Sequence, residues 1–278
     1  MRACGSPHCR VTARPGQLCG LVDIAQQYAG RCVLELNAGE LTPVEAGGFT
    51  SGPAAVRVER VEDVPPGTLR APGQWSELRG ALGSSGLLYV PEQAVSGPVR
   101  LVVMFHGAGQ SPQSARRILE TQARDRRFAL LLPRSAGLTW DAIRGQGTAD
   151  LRSADALIEA AAGRVAVTES VTVAGFSDGA SYALGAGTAL SREVSEIIAF
   201  SPGFVARAGR PLRRPRIFVS HGIGDPVLTI DQTSRVIVPA LLDAGYDVEY
   251  REFYGGHTVP PDIADEAVGW MLSPGAAR

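Results

Sequence analysis

The chain of 278 residues is long enough to bury a substantial core, as one large α/β domain or as one domain with an extension. Its formal net charge of −1 presents no large opposite field to nucleic acid or to an anionic membrane, so neither is expected as a partner. All 27 basic residues are arginine, which excludes Schiff-base, phosphate-loop and general-base chemistry by lysine.

The first 80 residues are rich in glycine and proline and only weakly periodic. Short apolar alternations at 32–36 and 55–62 indicate strands, and the stretch 65–75 interrupts regular structure. We interpret residues 1–80 as an N-terminal extension of open role, followed by one domain over residues 81–278.

All four cysteines lie in this extension, without CxxC spacing or a nearby pair of histidines, so a zinc site is not expected. Asp23 interrupts the apolar run that a signal peptide needs, and no stretch approaches the roughly 20 apolar residues of a membrane span. We expect reduced thiols in a cytoplasmic protein, and two disulfides in an exported protein are the alternative. The cysteines are Cys4, Cys9, Cys19 and Cys32.

From residue 86 onward, apolar runs alternate with helical patterns, which predicts a mostly parallel sheet with helices on both faces. Reactive groups of such a sheet gather at the carboxyl ends of its strands. The predicted strands cover 86–91, 99–107, 128–133, 170–177, 196–202, 216–222 and 247–253. The predicted helices cover 112–126, 151–166, 178–190, 231–244 and 261–272.

The stretch GFSDG places Ser177 between a predicted strand and a predicted helix. Such a turn strains the central residue and projects its hydroxyl away from the sheet, while the helix N-terminus favours a nearby oxyanion. A bare GxSxG motif is weak evidence in a chain with 33 glycines, but this position between strand and helix is typical of a nucleophile elbow. We predict that Ser177 is a nucleophile; a helix N-cap is the alternative.

A serine nucleophile needs a base, and the chain has four histidines. His8 lies in the extension, and His106 and His221 each end a strand directly before a glycine. Only His257, between the last strand and the last helix, lies downstream of a plausible acid, as the order serine, acid, histidine requires. We predict His257 as the base; a capping or exposed loop residue is the alternative.

The acid must hold the imidazole in one tautomer and stabilise its protonated form. Asp225 lies in a glycine-rich loop just beyond the strand at 216–222, which suits this role. Asp231 opens a helix and is better explained as a cap, and Asp243 lies near a helix end that faces water. We therefore predict Asp225, with a solvated turn residue as the alternative.

Two backbone N–H groups are expected to stabilise the oxyanion. One belongs to Asp178, the residue after the nucleophile. The other comes from the loop HGAGQ, where Ala108 is the preferred donor and Gly107 and Gly109 are alternatives. A simple turn is the competing interpretation of this loop.

Four motifs, HGAGQ, GFSDGAS, HGIGDPV and YGGHTVPPDIADEAVGWML, occur in this order over residues 86–272. Together they resemble the phospholipase/carboxylesterase branch of the α/β-hydrolases, which includes acyl-protein thioesterases and is similar to feruloyl-esterase and polyhydroxybutyrate-depolymerase-like enzymes. The resemblance implies an α/β-hydrolase fold over residues 81–278, a triad of Ser177, His257 and Asp225, and oxyanion donors at Ala108 and Asp178. We expect no metal or organic cofactor.

The tract PRSAGLTWD, residues 133–141, resembles a family segment, which implies Trp140 as a wall of the substrate pocket. A core position for this side chain is the alternative. Asp178 departs from the family pattern, in which an uncharged amide is frequent, and its charge would disfavour anionic substrates. The first 80 residues have no counterpart in the minimal family pattern.

Residues 201–214 separate two core strands where many α/β-hydrolases insert a lid, and this connection is too short for a cap domain. We expect no lid domain, an open site, and hydrolysis of small to medium carboxylic esters through an acyl-enzyme. The alternatives are a thioesterase or acyltransferase on the same residues, and a non-catalytic hydrolase fold that binds a small ligand. A small-molecule ester is the expected partner, and the oligomeric state stays open.

Overall fold

A computed structural model of the protein describes residues 73–145, 147–187, 189–206 and 214–273. The strands predicted at 32–36 and 55–62, the four cysteines and His8 lie outside the described residues. The division into an extension and a single following domain therefore stays a prediction.

Within the described residues, eight strands form one sheet in the order β1-β2-β4-β3-β5-β6-β7-β8. The first two strands pair antiparallel with each other, β2 pairs antiparallel with β4, and every later pairing is parallel. The strands are β1 (Trp75–Arg79), β2 (Ser85–Tyr89), β3 (Val99–Phe105), β4 (Ala129–Pro133), β5 (Val167–Phe176), β6 (Val194–Phe200), β7 (Arg216–Gly222) and β8 (Val248–Phe253).

Five α-helices accompany these strands in the part of the chain that the structure describes, and all five were predicted. The first and the last have the predicted bounds. The helices are α1 (Pro112–Arg126), α2 (Ala149–Ala162), α3 (Asp178–Ala186), α4 (Ser234–Asp243) and α5 (Pro261–Leu272). The predicted fold class, a mostly parallel sheet between layers of helices, is confirmed.

The strand β1 was not predicted, and with it the sheet begins before the boundary expected at residue 81. Its sequence, WSELR, has no clear alternation, because only Leu78 of its five residues is buried. An edge strand of this kind lacks the pattern that marks strands covered on one or both faces.

Side chains of the central strands point alternately to two hydrophobic cores. In β3, Leu101, Val103 and Phe105 belong to the core covered by α2, α3 and α4. Val102 and Met104 belong to the core covered by α1 and α5. Because both faces of β3 are buried, its sequence is a nearly continuous apolar run instead of an alternation of apolar and polar residues.

The connection from β6 to β7 covers only residues 201–215, because β6 ends at Phe200 and β7 begins at Arg216. A connection of this length cannot hold a cap domain. In a parallel sheet the carboxyl ends of neighbouring strands lie at one edge, so the loops after β3, β5, β7 and β8 converge there. None of the helices described is long and apolar enough to cross a membrane.

Candidate active site

Ser177 lies in the turn between β5 and α3. Its φ of 58° and ψ of −122° place a residue other than glycine in a sparsely populated backbone region. The Ser177 N–H donates to the carbonyl oxygen of Phe200 at 2.9 Å, and the Ser177 carbonyl accepts the N–H of Ala180 at 2.9 Å. These bonds hold the turn in the conformation that directs the hydroxyl away from the sheet.

The two glycines of GFSDG leave no room for a side chain. A Cβ atom on Gly175 would overlap the backbone of Gly179, and a Cβ atom on Gly179 would overlap the carbonyl oxygen of Phe105. Both positions therefore require glycine, because strand and helix meet there backbone to backbone.

His257 lies between Ser177 and Asp225 and contacts both. Its Nε2 atom lies 2.9 Å from Ser177 Oγ, and its Nδ1 atom lies 2.6 Å from Asp225 Oδ2. The ring packs on Phe176 with 4.8 Å between ring centroids. Side chains separated by up to 80 positions in sequence are thus brought together at the carboxyl edge of the sheet.

Backbone contacts place Asp225 beside His257. Gly222 ends β7, and a Cβ atom there would overlap the carbonyl oxygen of Gly256. The N–H of Gly224 donates to the carbonyl oxygen of Gly255 at 2.9 Å. The loop that carries Asp225 therefore lies directly against the loop that carries His257.

The Asp225 side chain is fully buried. Its Oδ1 atom accepts the N–H groups of Val227 at 2.8 Å and Leu228 at 2.9 Å, while Oδ2 faces His257. Burial on its own would raise the pKa of this carboxyl, but the donors of Leu228, His257 and Val227 outweigh it and hold the pKa below its ordinary value. Asp225 is therefore an ionised acceptor.

A second imidazole, that of His221, also faces Asp225, and this contact was not predicted from the sequence. Its buried Nε2 atom lies 2.8 Å from the carbonyl oxygen of Leu228 and 3.2 Å from Asp225 Oδ2. A carbonyl only accepts, so Nε2 carries the proton, and Nδ1 accepts the Ser234 hydroxyl at 2.6 Å. Burial lowers the pKa of His221, which keeps this ring neutral. In the sequence, only its position at a strand end, directly before a glycine, indicated that His221 lies near the site.

Trp140 does not line a substrate pocket, which corrects the expectation drawn from the resemblance. Its side chain is fully buried, and Nε1 donates to the carbonyl oxygen of His106 at 2.9 Å. The rings of Phe105 and Tyr182 lie 4.8 Å and 5.1 Å from its ring, centroid to centroid. The alternative, a core position, is the one found.

His106 is also buried, and its ring contacts Gly107, Ser135 and Trp140. Its Nδ1 donates to the carbonyl oxygen of Gly107 at 2.9 Å, and its Nε2 accepts the Ser135 N–H at 3.4 Å. Burial lowers the pKa of His106. This histidine therefore supports the loop after β3 as a neutral side chain.

The loop after β3 lies against the serine, because a Cβ atom on Gly107 would be 3.3 Å from the Ser177 Cβ atom. The Gly109 N–H donates to the carbonyl oxygen of Leu138 at 2.6 Å, and the Gly107 N–H donates to Gln110 Oε1 at 3.3 Å. The N–H groups of Ala108 and Asp178 donate to no acceptor among the residues that the structure describes. The two preferred donors are thus available to a ligand, whereas the two alternatives are engaged.

No group of three or more His, Cys, Asp or Glu side chains that could hold a metal ion occurs within the described ranges. The side chains brought together here offer a hydroxyl, a proton acceptor and a buried carboxylate. Such a set can carry out nucleophilic and acid–base chemistry with its own groups. That no cofactor takes part stays a prediction.

The fold is that of the α/β-hydrolases. A phospholipase/carboxylesterase from Dyadobacter fermentans is 20% identical with a TM-score of 0.52, over 72% of this chain and 100% of that one. MGS-M1, an α/β hydrolase from a deep-sea metagenome of the Medee basin, is 18% identical with a TM-score of 0.54, over 71% and 93%. The S-formylglutathione hydrolase of Staphylococcus aureus is 13% identical with a TM-score of 0.57, over 73% and 98%. No protein-family model and no curated protein matches this sequence.

Proposed function

We propose that this protein is a serine hydrolase that cleaves carboxylic esters of small to medium acyl groups. The observation that carries the proposal is the hydrogen-bonded chain from Ser177 through His257 to Asp225. The strained turn at Ser177 and the unengaged N–H groups of Ala108 and Asp178 support it, since acyl transfer needs both a projecting nucleophile and oxyanion donors.

Acylation begins when Ser177 Oγ attacks the ester carbonyl carbon and His257 Nε2 takes the hydroxyl proton. Asp225 stabilises the imidazolium that forms, and the N–H groups of Ala108 and Asp178 donate to the oxyanion. The tetrahedral intermediate then collapses. The bond to the alcohol oxygen breaks, His257 donates its proton to that oxygen, and the acyl group remains on Ser177.

Deacylation uses the same groups with water as the nucleophile. His257 takes a proton from water as the water oxygen attacks the acyl carbon, and the oxyanion forms at the same donors. The bond to Ser177 then breaks, and His257 returns the proton to Ser177 Oγ. Every proton transfer in this scheme uses the imidazole of His257.

Exposed apolar side chains around this edge support a neutral acyl group as the substrate. Leu138, Phe204 and Val227 follow β4, β6 and β7, and all three are exposed. Two of them are tied to the site by their backbones: the Leu138 carbonyl accepts from Gly109, and the Val227 N–H donates to Asp225. With no cap domain between β6 and β7, we expect short, soluble esters to react well and emulsified long-chain esters poorly.

Replacement of the nucleophile tests the proposal. Ser177→Ala should keep the fold and lose roughly 10³-fold or more in kcat/KM. A fluorophosphonate probe should label the parent protein at Ser177, as mapped by peptide analysis, and leave the variant unlabelled. The matched control is Ser273→Ala, because Ser273 is a serine that follows α5, outside the site. This variant should react with the probe and turn over ester as the parent protein does. Labelling at another residue, or near-parental turnover of Ser177→Ala, would contradict the proposal.

A thioester is a second candidate substrate, because one protein of the same fold is an S-formylglutathione hydrolase. Oxygen and sulfur esters of one acyl group, assayed side by side, separate an esterase from a thioesterase. Added alcohol acceptors reveal acyl transfer. A protein that turns over none of them and takes up no probe would favour the non-catalytic alternative.

A further inference from the structure

Residues 138–140 contact both loops that carry the proposed oxyanion donors. On one side, the Leu138 carbonyl accepts the Gly109 N–H at 2.6 Å, and Trp140 Nε1 donates to the His106 carbonyl at 2.9 Å. These two bonds hold the backbone before and after Ala108.

On the other side, Thr139 reaches Asp178. Its Oγ1 donates to Asp178 Oδ2 at 2.7 Å, and both side chains are half-buried. Residues 138–140 therefore contact Asp178 directly and contact the backbone on both sides of Ala108.

The segment that carries this tripeptide is itself fixed. The carboxylate of Asp150, which is 2% exposed, accepts the N–H of Ala136 at 2.9 Å and the N–H of Asp141 at 2.8 Å. Trp140 is held between aromatic rings in the core. Thr139 is thus presented from a rigid support, as a positioning group requires.

The side chain of Asp178 creates a need for such a group. Its N–H is proposed to donate to an oxyanion, while its carboxylate carries charge of the same sign as that oxyanion. An unrestrained carboxylate at the first position of a helix can also turn back toward the free N–H groups of the first turn. A hydrogen bond from Thr139 engages one carboxylate oxygen. It keeps the carboxylate from turning toward the oxyanion and from turning back toward the N–H groups of the first turn.

We propose that Thr139 is a positioning residue of the oxyanion site: its hydroxyl holds the Asp178 carboxylate aside so that the Asp178 N–H faces the developing charge. This inference rests on the proposed function. Since the oxyanion forms in the tetrahedral intermediate and the transition states that flank it, and not in the bound ester, losing the hydroxyl should lower kcat and leave KM nearly unchanged.

The test compares Thr139→Val, which keeps the shape and removes the donor, with Thr139→Ser, which keeps the donor. We expect kcat of Thr139→Val to fall about 5- to 20-fold, less than for direct removal of an oxyanion donor, with KM within about 2-fold. Thr139→Ser should restore most of kcat. Inactivation by a fluorophosphonate should slow in parallel with kcat, because its phosphoryl oxygen occupies the same donors. The melting temperature should change little, because Thr139 is half-exposed.

A double-mutant cycle with Asp178→Ala adds a result that a purely structural role would not give. If Thr139 acts through Asp178, Thr139→Val should have little further effect on kcat in the Asp178→Ala background. Parental kcat in Thr139→Val, equal losses in the valine and serine variants, or a change in KM alone would overturn the inference. Ser177→Ala separates the two proposals: if it is inactive while Thr139→Val is unaffected, only the role of Thr139 fails.

Discussion

Two buried carboxylates, Asp225 and Glu196, lie at opposite ends of the parallel strands, and they have different partners. Asp225 follows the carboxyl end of β7, and Glu196 lies near the amino end of β6. The Asp225 side chain is 0% exposed and is surrounded by backbone N–H groups and two imidazoles. The Glu196 side chain, near the start of β6, is 8% exposed and is paired with two guanidinium groups. Its partners are Arg100 at 2.6 Å, Arg216 at 3.3 Å, and the hydroxyls of Thr172 at 3.0 Å and Ser195 at 2.6 Å.

The difference shows how partners decide what a carboxylate does. Arginine keeps its proton at any pH at which the protein is folded, so Glu196 is part of a fixed ion network that joins strands. An imidazole can gain and lose a proton near neutral pH, so Asp225 is placed where charge can change during a reaction. Ser177, whose φ is 58°, lies at the same end as Asp225.

Removal of the charge at Asp225 should have the largest effect, and it should be on activity. In Asp225→Asn the amide can still accept the N–H groups of Val227 and Leu228, but it cannot stabilise an imidazolium and permits the wrong tautomer of His257. We expect kcat/KM to fall on the order of 10³-fold, with a small change in the urea midpoint. Activity within 10-fold of the parent protein would mean that Asp225 is not the acid.

Removal of the charge at Glu196 should act on stability instead. Glu196→Gln leaves Arg100 and Arg216 without a counter-charge, which we expect to lower the free energy of unfolding by about 2–3 kcal/mol. Water reaches both guanidinium groups in part, so the low end of the range for broken buried pairs applies. Glu249→Gln, which breaks an exposed ion pair, is the control and should change the free energy by under about 1 kcal/mol. A loss of kcat at full stability would contradict this division of roles.

A change of pH should have a smaller effect, on stability, and it should act through His106 and His221, which both lie at the same end of the strands as Asp225. Burial lowers the pKa of His106 and of His221 from the ordinary value of 6.5, so the folded protein binds fewer protons there than the unfolded chain. Stability should therefore fall as pH decreases through 6.5 toward the folded pKa, by at most about 1.4 kcal/mol per pH unit for each histidine. Guanidinium chloride midpoints measured between about pH 8 and about pH 5.5, the range in which histidine titrates, test this.

The lowered pKa of Asp225 acts in a different window. Its contribution to stability is complete above the ordinary carboxyl pKa and is lost only as pH falls below it toward the folded value.

The outcome that would contradict the histidine prediction is a denaturation midpoint that stays constant or rises toward about pH 5.5. It would show that His106 and His221 are not neutral in the folded protein.

The parts of the fold predicted correctly from sequence are those whose buried and exposed residues follow a regular pattern. The central strands were recognised because both of their faces are buried, and the helices because one face is. β1 was missed because, at the edge of the sheet, only Leu78 is buried. The turn at Ser177 was recognised because its glycines permit contact that no other residue allows.

Side-chain partners across the sheet were harder to predict. Trp140 was expected in a pocket, yet its direction depends on Phe105 and Tyr182, which lie on other elements. His221 lies only four positions before Asp225, and their contact depends on the conformation of the loop after β7. The bond from Thr139 to Asp178 likewise joins two loops that the sequence keeps 39 positions apart.

The contact of Gly222 with Gly256 has a consequence for substitutions far from the reacting atoms. Since the two loops touch through main-chain atoms, no larger residue fits at position 222 without displacing the loop that carries the imidazole. The 2.6 Å spacing from ring to carboxylate and the 2.9 Å spacing from ring to hydroxyl therefore both depend on a glycine that contributes no side chain to the site.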